Sequence, residues 1–440
     1  MPVSADLLIH ASWIIPVTDD QSVYENACLA IADGRILGIC ASAEASQRFN
    51  PAREVNLQGH VLIPGLVNTH GHAAMSLMRG FADDLPLQAW LEEHIWPAEG
   101  RWVSEEFVYQ GTQLAIGEMI RSGTTCFADM YFFPEASAKA ASEAGIRVQL
   151  AAPVIDFPNP WSSNADEAIS KLIALHDTWR NSELVSTAFG PHAPYTVSDE
   201  PLRKIVTLAE ELDLPVHMHV HETAFEVDQA VSTSGIRPLQ RLNNLGLLSP
   251  RLICVHATQL DDNDIALLQN SGTHVAHCPE SNLKLASGFC PVEKLRARGI
   301  NVCLGTDGAA SNNDLDMFSE MRTAALLAKA VSSNAAALPA FSALKMATLD
   351  GARALGLDSL IGSLETGKRA DVVAIKLDEL NTVPVHNPLS HLVYSVNAAQ
   401  VNYVWVNGKQ LLNQGELCTL NRRHLIEIAT HWQQTLRATA

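Results

Sequence analysis

The order of hydrophobic and polar positions divides the chain into regions with two different patterns, one at both ends and one in the middle. At both ends, short apolar runs lie close together and are joined by turn pairs. Asp33-Gly34 lies between two such runs, and Asn407-Gly408 follows another. Asp-Gly and Asn-Gly pairs next to apolar runs are typical of β-hairpins. The ends of the chain are therefore predicted to consist of short strands joined by turns, with a hairpin at each turn pair.

From residue 61 the pattern changes, because apolar strand candidates now alternate with longer segments of helical periodicity, such as 202–212 and 262–270. Alternation of this kind favours a parallel sheet with helices between its strands, and eight units in roughly 250 to 300 residues suit a (β/α)8 barrel. The eight strand candidates are 61–67, 124–128, 148–151, 185–190, 215–219, 252–256, 273–277 and 301–305.

The two hydrophobic patterns also predict the domain arrangement. Because the two ends resemble each other and differ from the middle, we expect residues 1–60 and 365–420 to form one small β domain. The α/β barrel of residues 61–364 would be inserted between them. Residues 421–440 have the pattern of a C-terminal helix.

Composition excludes several classes of partner. The 440 residues carry a formal net charge of −18, which disfavours a polyanionic partner such as nucleic acid. No apolar run approaches the roughly 20 residues that span a bilayer, and residues 1–16 lack the basic start and apolar centre of a signal peptide. Eight cysteines without a CxxC pair predict neither a disulfide framework nor a cysteine-bound metal. We expect a cytoplasmic protein with no nucleic-acid or membrane partner.

Ionisable side chains follow the ends of the predicted barrel strands, where barrels of this kind carry their active residues. His70 and His72 follow the first candidate with one residue between them, so in an extended chain they point the same way. Scattered structural histidines would not select strand ends so consistently. The other residues at strand ends are His192, His219 with Glu222, His256 and Asp307.

Three imidazoles and one carboxylate of this set form a typical ligand shell for one divalent metal ion. Zinc is the expected ion, with Fe²⁺ or Mn²⁺ as alternatives, and an open coordination position would activate water at neutral pH. His217 and His221 share the predicted face of His219, so spacing alone does not choose among the three. Asp307 could also be a turn residue in its Gly-Thr-Asp-Gly context. The predicted metal ligands are His70, His72, His219 and Asp307.

Two further residues are candidates for the chemistry itself. Glu222 lies three residues beyond His219, where a general acid or base would stand beside the metal without binding it. The alternative is a solvated loop carboxylate. His256 could stabilise a developing charge, or it could be a hydrogen-bonded core histidine. Together with Asp307, these two are the predicted catalytic residues.

These motifs together resemble those of the amidohydrolase superfamily, in the branch of aminohydrolases that act on heterocyclic bases. The resemblance covers essentially the whole chain and implies a distorted (β/α)8 barrel with a small β-sandwich domain built from both termini. Members with two metals carry a bridging lysine on the fourth strand, and this chain has none there, so one metal is implied. The segments that carry the resemblance are 64–72 (PGLVNTHGH), 189–195 (FGPHAPY), 219–223 (HVHET), 281–285 (SNLKL), 304–312 (LGTDGAASN) and 367–373 (GKRADVV).

Within this branch the chain is similar to enzymes that deaminate 5′-methylthioadenosine and S-adenosylhomocysteine. The segment 75–85 (MSLMRGFADDL), followed by Trp90 and by 96–99 (WPAE), matches their loop after the first strand. The resemblance implies that Glu99 binds the ribose hydroxyls. The implied substrate contacts are Trp90, Glu99, His192, Glu222, Asp307 and Ser311.

One departure bears on the substrate. Relatives that accept S-adenosylhomocysteine carry arginines after the third strand, but Ala152 stands at the first of those positions and 157–165 contain no arginine. Losing an arginine–carboxylate pair should cost that substrate more than about tenfold, so we expect 5′-methylthioadenosine to be preferred. The apolar residues expected to suit its methylthio group are Phe157, Pro158, Pro160 and Trp161.

The expected reaction is hydrolysis of the C6 amino group of adenine, which gives the inosine analogue and ammonia. Glu222 would move a proton from water to N1, while Asp307 and His256 orient the water. The expected partner is a small purine nucleoside, and the protein is expected to be a homo-oligomer. One alternative is another heterocycle aminohydrolase or chlorohydrolase, of the guanine, cytosine or triazine type. The second alternative is not an enzyme: it is a metal-free binding or scaffold protein built on the same barrel.

Overall fold

Two eight-stranded sheets organise the molecule. The structure is a computed structural model that describes residues 2–437. Its strands are β1 (Val3–Ile14), β2 (Tyr24–Ala32), β3 (Arg35–Ala41), β4 (Phe49–Pro64), β5 (Leu66–Asn68), β6 (Thr124–Asp129), β7 (Arg147–Val154), β8 (Val185–Pro191), β9 (Val216–Val220), β10 (Leu252–His256), β11 (His274–His277), β12 (Val302–Leu304), β13 (Val372–Lys376), β14 (Val401–Val406), β15 (Lys409–Asn413) and β16 (Glu416–Leu417).

Helices follow most of the strands, and within the described chain none is both long and apolar enough to cross a membrane. Short segments of other helical types occur at Ser42–Glu44, Ala73–Met78, Trp90–Ile95 and Ala398–Gln400. The α-helices are α1 (Ala45–Arg48), α2 (Leu87–Ala89), α3 (Trp96–Trp102), α4 (Glu105–Arg121), α5 (Pro134–Ala144), α6 (Ala165–Trp179), α7 (Asp199–Leu212), α8 (Ala224–Ser234), α9 (Pro238–Asn244), α10 (Asp262–Ser271), α11 (Pro279–Lys284), α12 (Val292–Ala297), α13 (Met317–Ser332), α14 (Ala340–Met346), α15 (Leu349–Ala354), α16 (Pro388–Tyr394) and α17 (Arg422–Arg437).

The predicted barrel is confirmed. Strands β5 to β12 lie side by side in chain order, and the ladder between each adjacent pair is parallel. Backbone hydrogen bonds then join the last strand to the first, from Thr69 N to Leu304 O (3.0 Å) and from Asp307 N to His70 O (3.0 Å). Most of these strands are buried along their whole length, because side chains on one face fill the barrel and those on the other meet the helices.

Both ends of the chain contribute to the second sheet, as expected. Its strand order is β16-β15-β14-β13-β4-β1-β2-β3, so β13 from the C-terminal part pairs with β4 from the N-terminal part. The two predicted hairpins are confirmed, since β2 pairs with β3 and β14 with β15, each across its turn pair. Helix α17 packs on α4 and buries Ile428 and Trp432; residues 438–440 of the predicted terminal helix lie outside the described residues.

The predicted first barrel strand at 61–67 was wrong in its first half. Residues 61–64 end the long strand β4 and pair with β13 in the terminal sheet, where Pro64 lies opposite Val372. The barrel strand starts only at Leu66, after Gly65, which belongs to neither strand. An apolar run that is buried on both faces gives no periodic signal of the point at which it passes from one sheet to the next.

A buried ion pair ties the two sheets together. Arg147 at the start of β7 lies 3.3 Å from Asp371, which precedes β13, and both side chains are almost fully buried. Asn407 joins them, since its backbone N–H donates to Asp371 (2.8 Å) and its side-chain oxygen accepts from Arg147 (2.8 Å). All eight cysteines are free thiols, and seven are buried.

Candidate metal centre and substrate cavity

Four candidate ligand atoms converge at the C-terminal mouth of the barrel. His70 and His72 follow β5, His219 lies in β9, and Asp307 follows β12. The Nε2 atoms of His70 and His72 each lie 3.3 Å from Asp307 Oδ1. His219 Nε2 is 3.3 Å from His70 Nε2. The strand ends therefore bring together the side chains that the sequence predicted, and His256 belongs to the same cluster through His70 and Asp307.

The second nitrogen of each imidazole is already engaged, which leaves Nε2 for a cation. His72 Nδ1 lies 2.6 Å from the carbonyl oxygen of Met130, and His219 Nδ1 lies 2.8 Å from that of His192. His70 Nδ1 instead lies 2.9 Å from Nε2 of His217. Partners of this kind fix the ring orientation and tautomer of histidines that bind metals. The donor set, three Nε2 atoms and one carboxylate oxygen, fits a divalent transition metal.

Geometry also separates the three histidines of β9. His219 points into the ligand group, and His217 lies behind His70. The prediction that His221 shares their face was wrong, because β9 ends at Val220 and His221 has a positive φ of 55°. Its ring turns away to the backbone N–H of Leu239 (3.2 Å).

Burial and mutual hydrogen bonding set the charges of this group. Burial lowers the pKa of His70 to about 4 and that of His219 well below its ordinary value. Burial lowers the pKa of His72 as well, but the hydrogen bond to Asp307, the charge of Asp307 and the hydrogen bond to the Met130 carbonyl together outweigh it and raise the pKa to about 9. Metal binding requires neutral imidazoles and releases such protons, so a cation would displace the proton shared by His72 and Asp307.

Asp307 is held on every side. Its Oδ2 accepts hydrogen bonds from the hydroxyls of Ser281 (2.6 Å) and Ser311 (2.9 Å), and Oδ1 accepts one from the N–H of Gly308 (2.8 Å). Burial raises its pKa, but hydrogen bonds with His70 and His72 outweigh this and hold the pKa well below the usual range. Asp307 is thus an ionised carboxylate in a fixed position, not merely a turn residue.

Glu222 and His256 stand beside the ligand group. Glu222 Oε2 lies 3.7 Å from His256 Nε2, and burial raises the pKa of Glu222. His256 is fixed by a contact of 2.8 Å between its Nδ1 and the side-chain oxygen of Asn282. The loop of Glu222 is clamped by Glu226, whose carboxylate accepts the N–H groups of His221 (2.9 Å) and Glu222 (2.8 Å). A buried carboxyl group of raised pKa next to a metal group is suited to accept and return a proton.

A cavity of about 460 Å³ opens over this group. Residues from the segment after β5 form one wall, and those that follow β7 form another. The sequence-predicted residues that line it are His72, Trp90, Glu99, His192, His219, Glu222, His256, Asp307 and Ser311. His70 lies beneath the cavity, fully buried.

Glu99, in α3, is a second buried carboxyl group of the cavity, with 8% of its surface exposed. Burial raises its pKa to about 7, and this rise is opposed by the hydroxyl of Tyr131 and the charge of His72. Sequence reasoning missed Tyr131, although it follows β6 and the strand-end rule would have found it. It also assigned no role to Asn282 or Glu226. Glu226 had the capping pattern Thr-x-x-Glu with Thr223 as N-cap, but its carboxylate holds the preceding loop.

The other end of the cavity is apolar, with Phe157, Pro158 and Pro160 in its wall. The prediction that Trp161 shares this wall was wrong, because its ring is buried in the main core. Ala152 also lies in that core, on the opposite face of β7 from Pro153, which does line the cavity. Ala152 is therefore not a position from which an arginine would reach the substrate. Among the described lining residues there is nevertheless no arginine or lysine.

A ligand group of imidazoles and a carboxylate at the mouth of a (β/α)8 barrel, next to a buried proton-transfer group, defines a metal-dependent hydrolase. The family model described as the amidohydrolase family matches residues 61–411. The chain belongs to the amidohydrolase family, in which it is a metal-dependent aminohydrolase.

Relatives match along nearly the whole chain. A 5-methylthioadenosine/S-adenosylhomocysteine deaminase of Saccharophagus degradans is 53% identical over 434 residues, which cover 99% of this chain and 97% of the relative. A 5′-deoxyadenosine deaminase of Methanothermobacter thermautotrophicus is 46% identical over 413 residues, covering 93% and 95%. The crystal structure of an adenosine deaminase from Xanthomonas campestris with bound zinc superposes with a TM-score of 0.98 at 49% identity, covering 100% of both chains.

Proposed function

We propose that this enzyme hydrolyses the C6 amino group of 5′-methylthioadenosine to give 5′-methylthioinosine and ammonia, with one divalent ion, zinc, as its cofactor. The ligands would be His70, His72, His219 and Asp307. The observation that carries the proposal is the cavity itself, which joins a metal-binding group and Glu222 at one end to a buried carboxyl group, Glu99, elsewhere in its wall. The names of the relatives support the substrate class.

The bound ion supplies activation of water at neutral pH, and the protein's own groups handle the protons. Glu222 takes a proton from the attacking water and gives it to N1, which makes C6 electrophilic. The water oxygen bonds to C6, oriented by hydrogen bonds to Asp307 and His256. Asp307 then carries the remaining water proton to the amino group, which leaves as ammonia while C6 becomes a carbonyl. Glu222 suits this role because burial raises its pKa.

Glu99 is the feature that favours a nucleoside over a free base. Its carboxylate can accept hydrogen bonds from two neighbouring ribose hydroxyls, and charge-assisted bonds of this kind are among the strong ones. Guanine, cytosine and triazines lack a ribose, so on those substrates a buried Glu99 would have no partner to compensate its desolvation. Trp90, His192 and Ser311 line the same cavity and would complete the contacts.

The apolar wall favours the methylthio substituent. Phe157, Pro158 and Pro160 offer no charge or hydrogen bond to the ammonium and carboxylate groups of S-adenosylhomocysteine. Without a cationic partner in the lining, we expect that substrate to be at least tenfold poorer in kcat/KM, since a charge-assisted hydrogen bond contributes about 1.5 to 3 kcal/mol. The proposal also keeps the prediction of a homo-oligomer, which sedimentation would test.

Ammonia release from 5′-methylthioadenosine, S-adenosylhomocysteine, adenosine, guanine and cytosine tests the substrate. The highest kcat/KM should belong to 5′-methylthioadenosine, and a higher value for a free base would refute the proposal. Glu222→Gln should retain metal and lose about 10²- to 10⁴-fold in kcat. The exposed Glu210→Gln in α7 is the matched control and should behave as wild type. Near-normal activity of Glu222→Gln would refute the assigned role.

A further inference from the structure

His217 has a contact that the proposed reaction does not use. It lies in β9 two residues before His219, and 1% of its surface is exposed. Its Nε2 atom is 2.9 Å from Nδ1 of His70, and the two rings stack with centroids 5.1 Å apart and an interplanar angle of 26°. His70 is thus the proposed ligand whose second nitrogen meets a side chain, whereas those of His72 and His219 meet backbone carbonyls.

Proton positions follow from this arrangement. A metal at His70 Nε2 requires a lone pair there, so the proton of a neutral His70 must be on Nδ1. That proton is then donated to His217 Nε2, which must accept it, and the proton of His217 must be on its own Nδ1. Among the described residues this Nδ1 has no hydrogen-bond partner.

We propose that His217 is a positioning residue that selects the metal-binding tautomer of His70. A backbone carbonyl can only accept, and it selects the Nδ1–H tautomers of His72 and His219 unaided. The imidazole of His217 performs the same task by presenting an Nε2 lone pair, and its stacking fixes the plane of the His70 ring. Loss of this acceptor leaves His70 free to place its proton on Nε2, towards Asp307, which lies 3.3 Å away. Metal binding would then have to reverse that tautomer.

Metal affinity is the direct readout, and it rests on the proposed metal site but not on the proposed substrate. Zinc affinity of the purified protein is measured by competition with a chromogenic chelator, without any nucleoside. Wild type should bind one equivalent; if it does not, the proposed metal site is refuted and the role of His217 with it, whereas the role of His217 alone is refuted if wild type and His217→Phe bind zinc equally well. His217→Phe keeps a ring but removes the acceptor, and it should bind zinc about 10- to 100-fold more weakly.

Gln and Asn at position 217 separate the acceptor from packing. The amide of His217→Gln can reach the place of the Nε2 atom and should keep affinity within about threefold, as expected for a retained partner of a metal-binding histidine. His217→Asn carries the same amide one methylene short of His70, so it should lose affinity as His217→Phe does. The Asn and Gln variants also serve as the test if the Phe variant does not fold.

His277 provides a matched control. It is also buried, at the end of β11, with an Nδ1 atom that has no partner among the described residues, but it lies outside the ligand groups. His277→Phe should leave zinc affinity within about threefold of wild type, because no ligand depends on it. Equal affinities of the Phe, Asn and Gln variants at position 217, or an equal loss from His277→Phe, would overturn the proposal.

Discussion

Glu99 should give the enzyme a KM that depends on pH. This carboxyl group is buried in the cavity wall, and burial raises its pKa to about 7. Only its ionised form can accept hydrogen bonds from both ribose hydroxyls, so the competent fraction falls about tenfold for each pH unit below 7. KM for 5′-methylthioadenosine should rise by the same factor. The folded protein favours the neutral carboxyl group, so its stabilising contribution is present at acid pH and is lost as pH rises through 7.

Two substitutions change this profile in different ways. Glu99→Gln removes the titrating group, so KM should become independent of acid pH but lie about 10- to 100-fold higher at alkaline pH, since a hydrogen bond to a charged group contributes about 1.5 to 3 kcal/mol. Tyr131→Phe removes a hydroxyl that lowers the pKa of Glu99. The rise in KM should then begin at a higher pH than in wild type.

The assay is steady-state deamination followed by the absorbance change of the base, at saturating metal and over pH values on both sides of neutrality. 5′-Methylthio-2′,3′-dideoxyadenosine is the control substrate, because it lacks both hydroxyls and its KM should not respond to Glu99. If KM of the Glu99→Gln variant still rose towards acid pH, the reasoning would be refuted. It would also be refuted if this rise in KM began at a lower pH in Tyr131→Phe than in wild type.

Three further predictions concern stability and metal. Arg147→Met leaves Asp371 buried without its partner, so the free energy of unfolding in urea should fall by about 3 to 5 kcal/mol, with kcat of the folded enzyme unchanged; Arg147→Met combined with Asp371→Asn should recover part of the loss. In Gly65→Ala the new Cβ would lie 1.9 Å from the Thr125 hydroxyl, so soluble yield should collapse, and a wild-type yield would contradict this contact. Removal of metal with a chelator should abolish deamination and lower Tm, and zinc should restore both.

The barrel was predictable because its strands are buried on both faces and its helices are not. Each strand reads as a short apolar run, and each helix between them reads as a longer amphipathic segment. The pattern did not show the point at which the chain passes from the terminal sheet, to which residues 61–64 belong, to the barrel sheet. That change depends on Gly65, where a side chain would collide with Thr125 on the neighbouring strand. Such a contact exists only after the strands are assembled.

The site was predictable to the extent that it follows strand ends. The sequence predicted that His70, His72, His219 and Asp307 lie together because ionisable side chains at the ends of apolar runs are conspicuous, and the structure brings them together. The orientation of His221 was not predictable from the sequence. Side chains alternate between the two faces of a sheet only while the strand continues, and β9 ends one residue before His221. The residues of the cavity walls were the least predictable, since they lie in loops, where the spacing of residues does not determine which way a side chain points.

Assembly of the ligand group requires closure of the barrel. His70 follows the first strand, His219 lies in the fifth and Asp307 follows the eighth, so no short stretch of chain contains the proposed ligand set. The backbone hydrogen bond from Asp307 N to His70 O both closes the barrel and joins two of the proposed ligands. Asp307 adopts a positive φ of 63° to make this approach, and His256 one of 70°. Such backbone strain, about 1 to 3 kcal/mol for a residue other than glycine, persists because the closed barrel determines it, and a metal bound across the first and last strands would stabilise that closure.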